Sequence, residues 1–244
     1  MANTTIEILY PEFGNQAGDN GNAMYLKACL PEATFIETPF GAEPAFAASD
    51  VSCILLGNMT ERQQERVAQA LMPYRDRLVE LADAGVPMLF TGNAAELLGT
   101  KIVEPAGKTV ECLGIFDVVT NQLMPRRFLS VGVGGFMPAP GAEPIEVVGY
   151  KMQFTQAEGD NADSYFCKLE QGFGLNENTK LEGMRRNNLI GTWFLGPLLA
   201  INPPLTRWLL DTMGHADAPL AYAETVERAF AKRVRDFKTP GMGL

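Results

Sequence analysis

Short apolar runs separated by helix-like segments dominate the first hundred residues of the chain. The runs at residues 6–10, 34–37, 51–56 and 86–90 have the length and apolar content of β-strands. Run 51–56 is almost continuously apolar, a pattern typical of a central strand buried on both faces of a parallel sheet. Because helix-like segments alternate with these runs, the pattern predicts an α/β fold with a central, mostly parallel sheet and helices on both faces.

Capping residues as well as apolar spacing indicate two of these helices. A loop rich in Gly, Asn and Asp at residues 14–22 ends in residues suited to cap a helix over residues 23–30. Thr60 and Gln63 have the spacing of a capping box, in which each side chain bonds the other residue's backbone N–H. The helix that they begin has apolar residues at helical spacing, namely Val67, Leu71, Leu78 and Leu81.

Strand-like segments follow one another after Gly99, with few helical patterns between them. They are residues 115–120, 128–133, 146–154 and 165–169, with a further strand at 188–194. Turns connect most of them, which predicts an antiparallel extension of the same sheet. Helices at residues 203–213 and 219–237 complete the pattern. No linker divides the sequence, so residues 1–244 are predicted to form a single domain.

The turn between strand 86–90 and a predicted helix at 93–98 has the form of a nucleophile elbow. Such a turn holds a Ser or Cys in a strained conformation beside backbone N–H groups that stabilise an oxyanion. Gly92 stands at this turn and carries no side chain. The sequence therefore predicts an acyl-transfer scaffold whose nucleophile position is empty.

Composition narrows the classes of partner. Of 244 residues, 46% are hydrophobic and 20% are charged, and the net charge is -9. Basic residues, which nucleic-acid phosphates require, form no large cluster, and the notable pairs are Arg126-Arg127 and Arg185-Arg186, so we expect no nucleic-acid partner. No apolar run is long enough to cross a bilayer, and residues 1–10 lack the pattern of a signal peptide. We therefore expect a cytoplasmic protein without membrane contact.

The cysteines and the single histidine are too scattered to predict a metal site. Cys53 falls in a strand and Cys29 on an apolar helix face, where burial as a small hydrophobic residue is expected, and Cys112 and Cys167 are isolated from both. His215 follows a helix-ending glycine, which favours an exposed or capping role. We expect no metal and no cofactor.

Seven short motifs occur in a fixed order along the chain. They are GDNGN at residues 18–22, LLGN at 55–58, PMLFTGNAAELLG at 87–99, LGIFDVVT at 113–120, VGYKMQF at 148–154, LEGMRRNNLIGTWFLGPLL at 181–199 and NPPLTRWLL at 202–210. In this order they resemble the class I glutamine amidotransferase family. They are most similar to its cobyric acid synthase-like (CobB/CobQ-like) branch, which includes the amidotransferase subunit of lipid II isoglutaminyl synthase. The resemblance implies a flavodoxin-like, three-layer fold.

The chain departs from the family at the positions that carry the family's chemistry. Family elbows read like ICGGYQLLG, and the corresponding TGNAAELLG places Gly92 where the nucleophilic cysteine is expected. A family motif like GTYLHGPLL reads GTWFLGPLL here, so Leu195 stands in place of the histidine base. Gln153 replaces a second family histidine. The glycine-rich loop LGGG, which supplies an oxyanion-hole N–H, reads LGNM, with Gly57 kept and Asn58 in place of a glycine.

Two further sets of residues around the former site are candidates for function. We expect Gly57, Asn58, Asn93 and Gln153 to line a retained ligand-binding pocket. Candidate substitute nucleophiles carry a hydroxyl but have no base expected nearby, so they are predicted to be inert. These threonines are Thr91, Thr155 and Thr192.

Three classes of function remain open at this point. The resemblance implies a pseudo-amidotransferase without its catalytic dyad, binding or regulating a protein partner that is a Mur-ligase-like synthetase or cobyric acid synthase-like. A second class is a small-molecule module that holds an amide or amino acid in the vestigial pocket. The third is an active amidotransferase or hydrolase with relocated chemistry.

Overall fold

Residues 4–239 are described by a computed structural model of the chain. The strands are β1 (Thr5–Leu9), β2 (Thr34–Thr38), β3 (Cys53–Leu56), β4 (Met88–Thr91), β5 (Lys101–Val103), β6 (Thr109–Glu111), β7 (Val118–Gln122), β8 (Phe128–Phe136), β9 (Ile145–Gln153), β10 (Thr155–Gly159), β11 (Cys167–Gln171), β12 (Leu181–Glu182), β13 (Met184–Arg186) and β14 (Leu189–Thr192). The α-helices are α1 (Asn20–Cys29), α2 (Ala45–Ala48), α3 (Glu61–Leu71), α4 (Arg75–Asp83), α5 (Leu198–Ile201), α6 (Pro203–Thr212) and α7 (Ala223–Lys238). Shorter 3-10 helices cover Gln16–Gly18, Met72–Tyr74 and Gly92–Leu98.

Six strands form the sheet that carries the elbow, in the order β13-β14-β4-β3-β1-β2. Neighbours from β14 to β2 run parallel, and β13 at one edge runs antiparallel to β14. Strand β4, predicted at residues 86–90, lies in the interior between β3 and β14. The predicted mostly parallel sheet is confirmed, and Gly92 follows the carboxyl end of its strand.

Alternate side chains of this sheet enter two apolar cores, one on each face. Phe90 belongs to the core that also holds Val67 of α3 and Leu78 of α4. Leu89, the preceding residue, belongs to the core that holds Leu26 of α1. Burying a side chain of this size contributes about 1.5–3 kcal/mol, so packing on both faces fixes β4 and the turn after it. The predicted helices on both faces are confirmed.

Strands β5 to β12 do not join the parallel sheet, so the prediction that they extend it is wrong, although their predicted antiparallel pairing is largely confirmed. They form two separate four-stranded sheets, in the orders β10-β7-β5-β6 and β12-β11-β8-β9. Strands β8 and β9 pair along nine residues each and satisfy one another's backbone groups. The three-residue strand β13 covers the edge of the parallel sheet instead.

Two predicted helices differ in form from the expectation. Pro73 lacks the backbone N–H that a helix interior uses, so the helix beginning at Thr60 is split into α3 and α4 by the 3-10 turn Met72–Tyr74. The capping box of Thr60 and Gln63 is confirmed. The segment after the elbow is the 3-10 helix Gly92–Leu98 instead of an α-helix. Almost all of it is buried beside β4 and β14, and the tighter winding fits that narrow space.

The smaller sheets share a core with the parallel sheet. Val110 of β6 and Ala157 of β10 are buried in the same apolar cluster as Phe90, and Phe136 of β8 is buried in the same cluster as Leu89. This common core supports the single domain over residues 1–244, which stays a prediction. Within residues 4–239, each helix is too short or too polar to span a bilayer.

Candidate functional site

The turn after β4 has the backbone of a nucleophile elbow. Gly92 adopts a positive φ of 60°, a conformation that costs other residues free energy and that glycine adopts freely. Its backbone N–H donates to the Phe194 carbonyl at 3.1 Å, which ties the turn to the segment after β14. The prediction of a sharp strand-to-helix turn at Gly92 is therefore confirmed.

The side chain of Asn58 fills the space beside Gly92. A Cβ atom added to Gly92 would lie 2.5 Å from Asn58 Oδ1 and 2.6 Å from Asn58 Cβ. Asn58 Oδ1 also accepts a hydrogen bond from the backbone N–H of Asn93 at 2.9 Å. In nucleophile elbows, the N–H of the residue after the nucleophile helps to form the oxyanion hole. An internal side-chain carbonyl therefore occupies the donor that an oxyanion would need.

Asn93 holds the loop that carries Asn58. Its Oδ1 accepts from the Met59 N–H at 2.9 Å, and its Nδ2 donates to the Met59 carbonyl at 2.8 Å. Gln64 Nε2 donates to the Asn93 carbonyl at 2.7 Å. Both polar atoms of the Asn93 side chain are therefore engaged within the protein, and they lock Asn58 in place.

Asp19, which precedes α1, also holds the loop that carries Asn58. Its buried carboxylate accepts from Thr91 Oγ1 at 2.7 Å and from the Asn58 N–H at 2.8 Å. Burial raises the pKa of Asp19 to about 6, although these two donors and the Gly196 N–H act to lower it. A Cβ on Gly196 would approach Asp19 Oδ1 to 2.2 Å, so the close approach requires glycine. Asp19 thus joins the loop, the end of β4 and the segment after β14.

A cleft of about 100 Å³ opens next to the elbow. Gly92 and Leu195, the positions that the resemblance assigns to nucleophile and base, both line it. Its polar lining is rich in side-chain amides, with two carboxylates and one guanidinium. The residues that carry these groups are Gln16, Asn58, Gln64, Asn93, Gln122, Gln153, Glu61, Glu96 and Arg127, and Thr155 adds a hydroxyl.

Three of the four predicted ligand-binding residues line the cleft, and one does not. Asn58, Asn93 and Gln153 line the cleft. Gly57 instead packs against Gly14, whose carbonyl oxygen would lie 2.0 Å from a Cβ at that position. Gly57 therefore shapes the loop behind the cleft and does not face the cleft itself.

Gln153 presents an acceptor without a partner. Its Nε2 donates to the Thr155 carbonyl at 2.8 Å, which fixes the amide orientation because a carbonyl can only accept. Its Oε1 is buried and has no hydrogen-bond partner among residues 4–239. Leaving a buried polar atom unpaired costs about 1–3 kcal/mol, so a donor at this position would be stabilising.

Sequence reasoning missed the role of Glu96. Its carboxylate is buried and accepts from Thr155 Oγ1 at 2.6 Å, Gln64 Nε2 at 2.7 Å and Trp193 Nε1 at 3.1 Å. Burial raises the pKa of Glu96, while the three donors act to lower it. An acidic residue in the otherwise apolar run AAELLG was the available signal. Through these hydrogen bonds, Glu96 fixes the 3-10 helix Gly92–Leu98 to the side chains that form the cleft wall.

The prediction that no base lies near the three threonines is wrong. Thr91 donates to Asp19, Thr155 to Glu96, and Thr192 to Glu182 at 2.8 Å. All three hydroxyls are buried, and of the three only Thr155 lines the cleft. The three threonine hydroxyls therefore serve as hydrogen-bond donors to buried carboxylates.

A buried ion pair lies behind the cleft wall. Lys151 Nζ contacts the Glu182 carboxylate and donates to the Gly174 carbonyl at 2.6 Å. Glu182 Oε1 also accepts from Thr192 Oγ1 and from the Trp193 N–H at 2.9 Å. Burial lowers the pKa of Lys151, and the facing carboxylate acts to raise it. The pair anchors β14 just before the residues that line the cleft.

The cysteines and the histidine lie outside the cleft. All four cysteines are buried, which confirms the prediction made for Cys29 and Cys53, and burial raises the pKa of Cys53 and Cys112 to about 12. Burial also raises the pKa of the Cys29 and Cys167 thiols. His215 is half-buried, and its Nε2 lies 2.6 Å from Thr4 Oγ1. Its backbone N–H donates to the Leu210 carbonyl at 2.8 Å, which agrees with a capping role at the end of α6.

Solved structures identify the class of fold. One glutamine amidotransferase superposes with a TM-score of 0.50 at 13% identity, covering 85% of this chain and 98% of that one. A glutamine amidotransferase from Thermotoga maritima superposes with a TM-score of 0.51 at 10% identity, covering 98% of this chain and all of that one. The chain therefore has a glutamine amidotransferase-like fold.

Curated sequences narrow the similarity to one kind of subunit. The GatD subunit of lipid II isoglutaminyl synthase (glutamine-hydrolyzing) from Staphylococcus aureus N315 is 27% identical over 156 residues, which span 64% of this chain and 61% of that protein. The GatD subunit from Streptococcus pneumoniae R6 is 24% identical over 248 aligned positions, 95% of this chain and 90% of that protein. No family model matches the chain.

Proposed function

We propose that this chain is a glutamine amidotransferase-like subunit that has lost glutamine hydrolysis and binds or regulates a protein partner. One observation carries the proposal. Asn58 Oδ1 bonds the Asn93 N–H, and the Asn58 side chain fills the space that a nucleophile side chain on Gly92 would need. Loss of the dyad and occupation of the oxyanion donor are then parts of one rearrangement.

The chemistry of acyl transfer supports this interpretation. A thiol nucleophile needs a base to form the thiolate and free N–H donors to stabilise the oxyanion. Gly92 supplies no thiol, Leu195 supplies no base, and the Asn93 N–H is bound internally. Removing such a set of groups lowers turnover by several orders of magnitude in hydrolases that use them.

The names of the relatives support one kind of protein partner for this chain. Both curated relatives are named as GatD subunits of lipid II isoglutaminyl synthase. The resemblance of the motifs implies a Mur-ligase-like synthetase as partner, with a cobyric acid synthase-like protein as the other possibility. A cytoplasmic location belongs to the same proposal.

Ammonia release from glutamine tests the loss of catalysis. Purified protein at high concentration should release no more ammonia than a buffer blank, and co-expression with the Mur-ligase-like protein of the same genome should yield a co-purifying complex. Turnover above the blank would contradict the proposal. If Thr155→Val abolished that turnover while Thr100→Val did not, the reaction would be assigned to relocated chemistry at the Thr155–Glu96 pair.

A second candidate is a small-molecule module, favoured by the unpaired Oε1 of Gln153. A small amide or amino acid in the cleft would supply the donor if the Gln153 side chain turned its buried Oε1 toward the cleft that it lines. Ligand binding stabilises the folded state, by about 2.7 kcal/mol at one hundred times the dissociation constant. Thermal shifts with glutamine, asparagine and acetamide should therefore disappear in Gln153→Leu and persist in Gln156→Leu. Equal shifts in both variants would exclude Gln153 as the contact.

A further inference from the structure

Exposed hydrophobic side chains are concentrated beside the cleft. Within residues 4–239, seven large hydrophobic side chains are exposed. Four of the seven lie in one small region, with 41–44% of their surface accessible, and they are Leu123, Met124, Leu129 and Met152. Such a concentration is typical of an interaction surface, whereas isolated exposed hydrophobic residues are common on any protein.

Backbone pairing makes these four residues neighbours. Leu129 of β8 stands directly opposite Met152 of β9 in the antiparallel pair, so both side chains project from the same face. The Leu123 N–H donates to the Phe154 carbonyl at 2.7 Å, which brings the loop after β7 beside the end of β9. We call this surface the mouth patch. It consists of Leu123, Met124, Arg126, Arg127, Leu129, Met152 and Phe154.

Arg127, which has no ion-pair partner in the described part of the chain, gives the mouth patch a charge opposite to that of the whole chain. The Arg127 guanidinium lies 4.9 Å from the centre of the Phe154 ring, and that of Arg126 lies 4.4 Å from the Phe128 ring. Arg126 is paired with Glu177 at 2.8 Å, whereas Arg127 is exposed and has no ion-pair partner among residues 4–239. The net charge of the chain is -9, so this basic, apolar surface is a local exception.

The mouth patch is continuous with the cleft. Arg127, Met152 and Phe154 line the cleft as well as the patch. A protein seated on the patch would therefore cover the cleft opening. Met side chains adapt to a partner's shape, and Arg and aromatic residues are enriched in protein interfaces.

We propose that the mouth patch docks a protein partner that presents an apolar surface with at least one carboxylate opposite Arg127, and that docking closes the cleft. The identity of that partner rests on the proposed function, which makes it Mur-ligase-like. A second copy of this chain fits poorly, because a two-fold contact would set the arginines of both copies together. An anionic membrane fits poorly because two cations face a net charge of -9.

Binding of defined variants to the purified Mur-ligase-like protein of the same genome tests the location. Leu129→Ser and Met152→Ser should each weaken binding by about tenfold or more, as truncation of central interface anchors does. Arg127→Glu should weaken it similarly and reduce its dependence on salt. Met24→Ser on α1 and Arg235→Glu on α7 are matched exposed controls and should bind as wild type. Unchanged binding by the three patch variants overturns the proposal.

A second measurement separates failure of the partner assignment from failure of the surface. If the wild-type chain does not bind the Mur-ligase-like protein, the proposed partner is wrong, and photo-crosslinking in the native cell then decides the surface. A benzophenone side chain at Leu129 should give an adduct with one identified protein that is absent with the same group at Met24. That protein, once purified, should bind wild type and lose affinity for Arg127→Glu. No adduct, or an adduct only with a second copy of this chain, overturns the proposal.

Discussion

Asn58 Oδ1 accepts the backbone N–H of Asn93 at 2.9 Å across 35 positions of sequence. The same oxygen lies 2.5 Å from the position of a Cβ on Gly92. The side chain at residue 58 and any side chain at residue 92 therefore compete for one space. The Asn58 side chain and any side chain introduced at residue 92 are therefore physically coupled, and changing one without the other has a cost.

The first prediction concerns this coupling. Gly92→Cys should destabilise the protein by about 2–4 kcal/mol, because it adds strain at a positive φ and overpacks against Asn58. In the Asn58→Gly background the same change should cost about 1–2 kcal/mol less, a coupling typical of residues in contact. Urea denaturation of the four proteins of the cycle measures it.

Asn58→Ala is the matched control for that cycle. Alanine keeps the Cβ of Asn58, which itself lies 2.6 Å from the Cβ added at Gly92, so it should relieve less of the clash than glycine does. Additive free energies for Asn58→Gly and Gly92→Cys would mean that the two side chains do not meet.

The second prediction tests the assignment of the dyad positions. In Asn58→Gly/Gly92→Cys, the introduced thiol should have a pKa near the free value of about 8.5. Adding Leu195→His should place an imidazole in the same cleft and lower that pKa, so that iodoacetamide reacts at lower pH. The native cysteines are buried and contribute little background.

Leu195→Gln in the same background is the control, since glutamine is polar but does not titrate. Identical thiol titrations with histidine and with glutamine at residue 195 would show that residues 92 and 195 do not face each other. Turnover is not required for this test, because an altered oxyanion site alone can abolish it.

The third prediction follows from the pKa of Asp19, which burial raises to about 6 from an ordinary value near 3.9. A raised pKa means that the folded state holds the proton more tightly, so the contribution of Asp19 to stability is complete below pH 4 and is lost as the pH rises to about 6. The total change is about 3 kcal/mol.

Asp19→Asn should remove that contribution. The stability of wild type minus that of Asp19→Asn, measured by urea denaturation from pH 4 to pH 7.5, should therefore decrease as the pH rises and level off above about pH 6. A difference that increases with pH would contradict the raised pKa.

The fourth prediction concerns the buried pair of Lys151 and Glu182. Replacing one partner leaves the other charge buried, so Lys151→Met and Glu182→Gln should each destabilise the fold by about 3–5 kcal/mol. The double variant should lose clearly less than the sum, because no uncompensated charge remains. The exposed pair of Lys27 and Glu37 is the control, and Lys27→Met should cost less than about 1 kcal/mol. Comparable losses at both pairs would argue against this account.

Much of the fold was predictable because its signals are local. Apolar runs, the capping box of Thr60 and Gln63, and the glycine at the elbow each depend on a few neighbouring residues. Strands β5 to β12 were wrongly predicted to extend the parallel sheet because strand segments in the sequence do not specify which sheet they join. The pairing of β8 with β9 depends on which backbone groups meet in the folded chain.

The candidate site was predictable only in part, for the same reason. The sequence by itself determined that Gly92 and Leu195 lack the groups that acyl transfer needs, since chemistry of that kind is a property of residue type. Only the tertiary structure decided that Asn58 fills the space beside Gly92 and that Glu96 receives the Thr155 hydroxyl from 59 positions away. Such contacts form where distant segments pack together. Each buried polar atom then needs a hydrogen-bond partner, and no local sequence pattern identifies that partner.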